Sequence, residues 1–198
     1  MKYMKFEAKL TKLHLQDYLD VEYKIGLSWR AYMYVFRNAI EEDAKGLAKL
    51  RQKVWSENYR GIFHDEMIDN FDFDMHELKF LNQINDPEIE MFIIENDGNQ
   101  IGYFCFSTTA QESMGMFGLR LISLYILFEY QNKGIGTKIF SHIRKYCCDK
   151  NILNFYNTCN MYNFNAIEFY KKMGGIVIFE DSGHENKFEN QVYFEYIV

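Results

Sequence analysis

The spacing of apolar residues changes period several times along the chain, and each change marks an element. "YMYVFRNA" reads as a strand, and Glu41, Glu42 and Asp43 then open a helix running through "AKGLAKLRQKVW". The acids sit at the positive end of its dipole. A polar and aromatic loop, "SENYRGIF", leads to a second helical stretch, "HDEMIDNFDFDMHELKFL". In "MFIIENDGNQIGYFCFS" apolar runs flank Asn96-Asp97-Gly98-Asn99, the mark of a hairpin whose turn needs positive φ. "LRLISLYILF" reads as a buried strand and "GIGTKIFSHIRKYCCDK" as a helix. In that helix Ile135, Ile139, Ile143 and Cys147 recur every four residues, and Phe140 and Tyr146 widen the stripe. A strand ("LNFYNTC"), a helix ("NAIEFYKKM"), a stop at Gly174-Gly175 and two more strands follow.

This order predicts one layered α/β (α+β) domain. Its mixed, mostly antiparallel sheet has about seven strands, flanked by about four helices. The domain is expected over 34–198. The preceding stretch, 1–33, contains "LTKLHLQDYLDVEYKIGLSW" and is expected to be a helical extension packed on the domain.

Composition narrows the class. With 48% hydrophobic and 18% aromatic residues in 198, a packed core is expected. The net charge of −6 argues against a nucleic-acid binder and tilts a solvent-facing site towards cationic ligands. Cys105, Cys147, Cys148 and Cys159 have neither metal-ligand spacing nor disulfide-scaffold density, so no metal is expected. "MKYMKFEAKL" lacks the apolar stretch of a signal peptide, and the apolar run around Leu121 to Phe128 is too short to cross a membrane. The expectation is a cytoplasmic protein that binds neither membrane nor nucleic acid, with a homodimer possible.

The chemistry centres on the junction "YILFEYQNKGIGTKIF". A strand there meets a helix whose first residues are Gly134-Ile135-Gly136. The first turn of a helix offers unpaired N–H groups and partial positive charge to an anion. Glycine lets backbone approach a diphosphate closely. Lys133 and Lys138 could add charge, and Thr137 a hydroxyl. The junction matches neither GxxxxGK[ST] nor GxGxxG, because the residue three beyond Gly136 is Ile139. Spacing alone leaves phosphate binding and close helix packing both open.

A second segment, "NMYNFNAIEFYKKMGG", sets Asn163, Ala166, Phe169 and Tyr170 on neighbouring faces of one helix. Together with "LYILFEYQNKGIG" it resembles the GNAT acyltransferase superfamily. That signature is a strand ending LYV, then P-E-Y-[QR]-x-x-G-x-G, a helix, a strand, and N-x-x-A-x-x-F-Y-x-x-x-G-F. The resemblance covers roughly Tyr34 to Val198. It implies acetyl-coenzyme A (acetyl-CoA) as co-substrate, its pyrophosphate wrapped by Gln131, Asn132, Lys133, Gly134, Ile135, Gly136 and Thr137. Leu124, Tyr125, Ile126 and Leu127 would run beside the pantetheine arm, with the Ile126 N–H polarising the thioester carbonyl. Asn163 and Ala166 would flank the coenzyme, and Tyr170 would protonate the leaving thiolate. Asn163 and Tyr170 are thus the expected catalytic pair.

Three positions depart from the signature. Phe128 stands for the proline, Gly175 for the last phenylalanine, and Arg120 where many relatives carry a glutamate. The last leaves the general base unassigned. Trp55, Tyr59 and Arg60, in the loop that borders the acceptor in this family, are the expected substrate contacts. The five histidines, His184 among them, are expected to be structural or exposed. The implied activity is direct N-acetyl transfer to a primary amine of a small molecule or protein. The alternative is a non-catalytic acyl-CoA sensor or interaction module on the same fold.

Overall fold

The computed structural model describes residues 34–113 and 116–198. One sheet contains seven strands: β1 (Tyr34–Asn38), β2 (Ile89–Asn96), β3 (Asn99–Ser113), β4 (Met116–Ile126), β5 (Asn154–Asn160), β6 (Ile176–Asp181) and β7 (Gln191–Ile197). Their order is β1-β2-β3-β4-β5-β7-β6. Every neighbouring pair is antiparallel except β4 and β5. The described residues form five α-helices: α1 (Ala44–Asn58), α2 (Asp65–Asp69), α3 (Phe73–Ile84), α4 (Ile135–Asp149) and α5 (Phe164–Lys172). The sheet and its class are those the apolar pattern predicts. The expected N-terminal extension lies outside the described residues.

One helix becomes two. The run read as continuous over His64–Leu81 breaks between α2 and α3. Asp72 causes the break: its carboxylate accepts from the Met75 N–H at 2.9 Å, capping a new helix. The hairpin turn is as expected, with Asp97 at φ 49° and Gly98 at φ 77° closing β2 onto β3.

Strand alternation divides the core. Phe104 and Phe106 of β3 face the layer built by α4 and α5. Tyr103 and Cys105 face the layer of α1 and α3. The four-residue repeat of α4 is buried throughout, together with Phe140. Under α1, the Arg51 guanidinium donates to the Tyr103 hydroxyl (2.8 Å) and to His76 Nδ1 (3.2 Å). It also lies 4.2 Å from the centroid of the Phe80 ring. His76 is buried and stacked on Phe71.

The feature that positions the site is a slipped register between β3 and β4. Cys105 faces Ser123 and Phe106 faces Leu121, leaving Ile122 as an extra residue on β4. A second slip sets Ser107 to Thr109 against Arg120 alone. The wholly buried Ser107 hydroxyl repairs the ladder there, accepting from the Arg120 N–H (2.8 Å) and donating to the Thr109 carbonyl (2.9 Å). Beyond this point β4 bends away. It pairs with β5 at Leu119–Phe155 and Arg120–Tyr156, and then the two strands part.

Burial, then the nearby Arg51 and Lys79, lower the His76 pKa from 6.5 to about 4. Between those values the unfolded chain binds the extra proton. Stability from this site is therefore complete above pH ~6.5 and lost as pH falls to ~4, by on the order of 3 kcal/mol. His142, its pKa lowered by burial against Phe92 and Phe104, adds a slope of the same sign. Urea midpoints should fall across that range. His76→Gln, which keeps an acceptor for Arg51, should flatten the fall.

Candidate active site

Where β4 and β5 part, a cleft of about 1430 Å³ opens, lined by both strands and by the first turns of α4 and α5. The C-terminal end of α1 supplies Asn58 and Tyr59 to its wall.

The glycine junction forms one end. After β4, the Leu127 N–H donates to the Ile101 carbonyl (2.9 Å), and a 3-10 turn spans Phe128–Tyr130. Gln131 Nε2 donates to the Ile126 carbonyl (3.0 Å), tying the loop to the strand end. Asn132 (φ 59°) and Gly134 (φ 79°) are left-handed, and α4 starts with no side-chain cap. By contrast, Asn163 caps α5, its Oδ1 accepting from the Ala166 N–H at 3.2 Å. The first N–H groups of α4 thus keep their donors for an anion. Gly136 does a different job. A Cβ there would stand 2.6 Å from the Phe169 ring, so its bareness lets α5 pack against α4. Gly175 is likewise a packing glycine, because a Cβ would meet the Tyr170 carbonyl at 2.8 Å.

Most of the expected coenzyme residues come together. Leu124, Tyr125, Ile126, Gln131, Asn132, Gly134, Gly136, Thr137, Asn163, Ala166 and Tyr170 all line the cleft. Leu127 and Ile135 turn into the core, and the Lys133 ammonium lies 5.2 Å from the centroid of the Tyr130 ring. Of the expected acceptor contacts, Tyr59 lines the cleft while Trp55 and Arg60 are placed elsewhere. Trp55 packs edge-on to Phe63, Phe71 and His76, an aromatic cluster that takes its apolar surface out of water. Arg60 is exposed, and its guanidinium is held by Asp69 (2.6 Å) and Asp65 (3.4 Å).

At the centre, burial raises the phenol pKa of Tyr170 and of Tyr59 far above the usual range. A hydrogen bond with the Asn163 side chain partly offsets the rise at Tyr59. Both hydroxyls are therefore protonated at neutral pH and act as donors, not bases. Burial also pushes the Cys159 thiol up to about 12, which suits a wall residue better than a nucleophile.

The segment after β6 also reaches the cleft, which the sequence reading did not anticipate. Phe188 meets Phe63 edge-on, with ring centroids 4.7 Å apart, and Lys187 Nζ approaches the Gly61 carbonyl (3.5 Å). Asp181, His184 and Glu189 line the cleft beside them. His184 Nε2 is 2.8 Å from Asp181 Oδ1, and this hydrogen bond raises the imidazole pKa. The available signal was Asp181 three residues before His184, in a loop that closes on itself.

The acetyltransferase (GNAT) family model matches residues 47–175. The chain belongs to the GNAT acetyltransferase family. Its seven-stranded sheet and flanking helices have the fold of that family. Thialysine N-ε-acetyltransferase of Sus scrofa is 28% identical over 99 residues, half of this chain and 55% of that protein. The chain thus spans about half the length of that relative. An N-α-acetyltransferase of Sulfurisphaera tokodaii is 26% identical over 150 residues, covering 71% of this chain and 79% of its own. Among solved structures, the PaiA N-acetyltransferase of Thermoplasma acidophilum in complex with coenzyme A superposes with a TM-score of 0.68 at 22% identity. That superposition covers 83% of this GNAT chain and 99% of the other.

The two junction glycines should respond differently to alanine. Gly136→Ala drives a methyl into Phe169 and should cost ~1–3 kcal/mol in urea denaturation. Gly134→Ala has nothing within 4 Å to strike. It should lose ~1–2 kcal/mol through left-handed strain alone.

Proposed function

We propose that this protein transfers an acetyl group from acetyl-CoA directly to a primary amine of a small molecule or protein. The observation that carries this is the convergence, in one cleft, of an uncapped helix start, an opened strand and two protonated phenols. The free donors of α4 suit a diphosphate, and the parted edge of β4 suits an extended amide-bearing arm. The coenzyme brings the acetyl thioester; the chain's own groups position and protonate. The backbone N–H of Ile126 is the assigned donor to the thioester carbonyl, a kind of contact worth ~10²–10³ in rate. Tyr170 gives its proton to the departing thiolate, and Asn163 holds the start of α5, on which Tyr170 rides.

The acceptor must arrive neutral. A lysine-like amine with pKa ~10.4 costs roughly 4–5 kcal/mol to neutralise at pH 7, and an α-amine near ~7.8 about 1 kcal/mol. The aromatic wall of Tyr59, Phe63 and Tyr125 accommodates either class.

Acetyl-CoA should raise the melting temperature well beyond any effect of ATP or NAD; equal effects would sink the coenzyme assignment. With an amine panel, free thiol should be released catalytically, and Tyr170→Phe should slow release ~10–10²-fold without abolishing it. A thiolate of pKa ~8.5 leaves with modest help from an acid. Coenzyme binding with no turnover across the panel would point instead to a sensor.

A further inference from the structure

Acetyl transfer to an ammonium needs a group to take its proton, and the centre of the cleft offers donors. Tyr59 and Tyr170 are both protonated, and Cys159 is a thiol. Arg120 is a cation that cannot serve. Among the described residues lining the cleft, His184 is the one imidazole.

Its setting is built. Asn190, buried behind the loop, accepts from the N–H groups of Gly183 (2.9 Å) and His184 (3.3 Å) through Oδ1. Its Nδ2 donates back to the His184 carbonyl at 3.1 Å. The ring is fixed from one side by Asp181, at 2.8 Å from Nε2. A carboxylate there accepts the Nε2–H, which leaves the lone pair on Nδ1. Glu189 Oε2 lies 3.7 Å from Nδ1, close enough to favour an imidazolium once formed. The charged groups facing the ring are therefore Asp181 from β6 and Glu189 from the turn before β7. Lys187 of that turn reaches towards Gly61 instead.

We propose that His184, oriented by Asp181, is the catalytic base of this cleft, taking the acceptor ammonium's proton on Nδ1 directly or through one water. The freed nitrogen lone pair then attacks the thioester carbonyl, the C–S bond breaks, and the thiolate takes its proton from Tyr170; the second proton on the acetylated nitrogen returns to the Tyr170 phenolate, and the His184 imidazolium gives the first to solvent. Glu189 is a positioning residue that stabilises the charged ring. The proposal rests on the acetyl-transfer reading above.

The test compares two amines by thiol release from acetyl-CoA. Cadaverine is of the lysine class (~10.4), and glycinamide is an α-amine (~7.8). At pH 7.5, His184→Gln should lower kcat/KM for cadaverine by ~10²-fold or more. Glycinamide, with a large neutral fraction, should lose less than ~10-fold. The cadaverine deficit should shrink towards pH 10. Asp181→Asn removes what raises the imidazole pKa, so the acid limb of the profile should move to lower pH. Thermal stabilisation by coenzyme A, unchanged in both variants, confirms that they fold. Equal losses for both amines, or an acid limb that stays put in Asp181→Asn, would overturn the assignment while leaving acetyl transfer intact. No thiol release by the unaltered protein with either amine would overturn acetyl transfer itself, and this assignment with it.

Discussion

When β4 leaves the side of β5 after Arg120, both strands keep backbone groups on the facing edges that the sheet no longer pairs. Such groups are costly to bury unmet. The rest of the site follows from that deficit. The bend is made affordable where it begins, by the Ser107 hydroxyl standing in for a missing rung. Where it ends, Gln131 holds the Ile126 carbonyl and the Leu127 N–H returns to β3. Between these two ties the sheet is open beside the core.

The two faces of the sheet divide the work. On the α4–α5 side, an uncapped helix start and Tyr170 line one half of the cleft. On the α1 side, Tyr59 and Tyr125 meet with ring centroids 6.4 Å apart, and Tyr125 packs in turn on Tyr103. Behind Tyr103 sits the half-buried Arg51, so this wall of the cleft rests on the same polar knot that holds His76.

What was legible in the sequence was what neighbours decide. The Asp97-Gly98 turn, the stripe of α4 and the alternation of β3 are written in local spacing, and the structure follows them. The break at Asp72 was also written locally, as a capping residue inside an apolar run, but helical periodicity on both sides masked it. The bulges were not legible, because Ser107 repairs the ladder for Arg120 thirteen positions away. Nor was orientation. Trp55, Tyr59 and Arg60 share one segment, yet tertiary packing sends Trp55 into an aromatic cluster, Tyr59 to the cleft and Arg60 to water. The approach of His184 to the cleft was not legible for the same reason, since the pairing of β6 with β7 is what carries its loop there.

Gly136 began as half of a phosphate-loop pattern and turns out to be a gauge. The four strands from β1 to β4 and the three from β5 to β6 form two leaves of one sheet, hinged at the Leu119–Phe155 end. Helix α4 follows one leaf and α5 the other, and the thickness of the Phe169 ring on a bare backbone sets how far they stand apart. The aperture of the cleft is therefore a packing distance. Drift in core residues such as Phe140, which touches both Phe169 and Tyr170, would be felt as altered grip on a ligand those residues never contact.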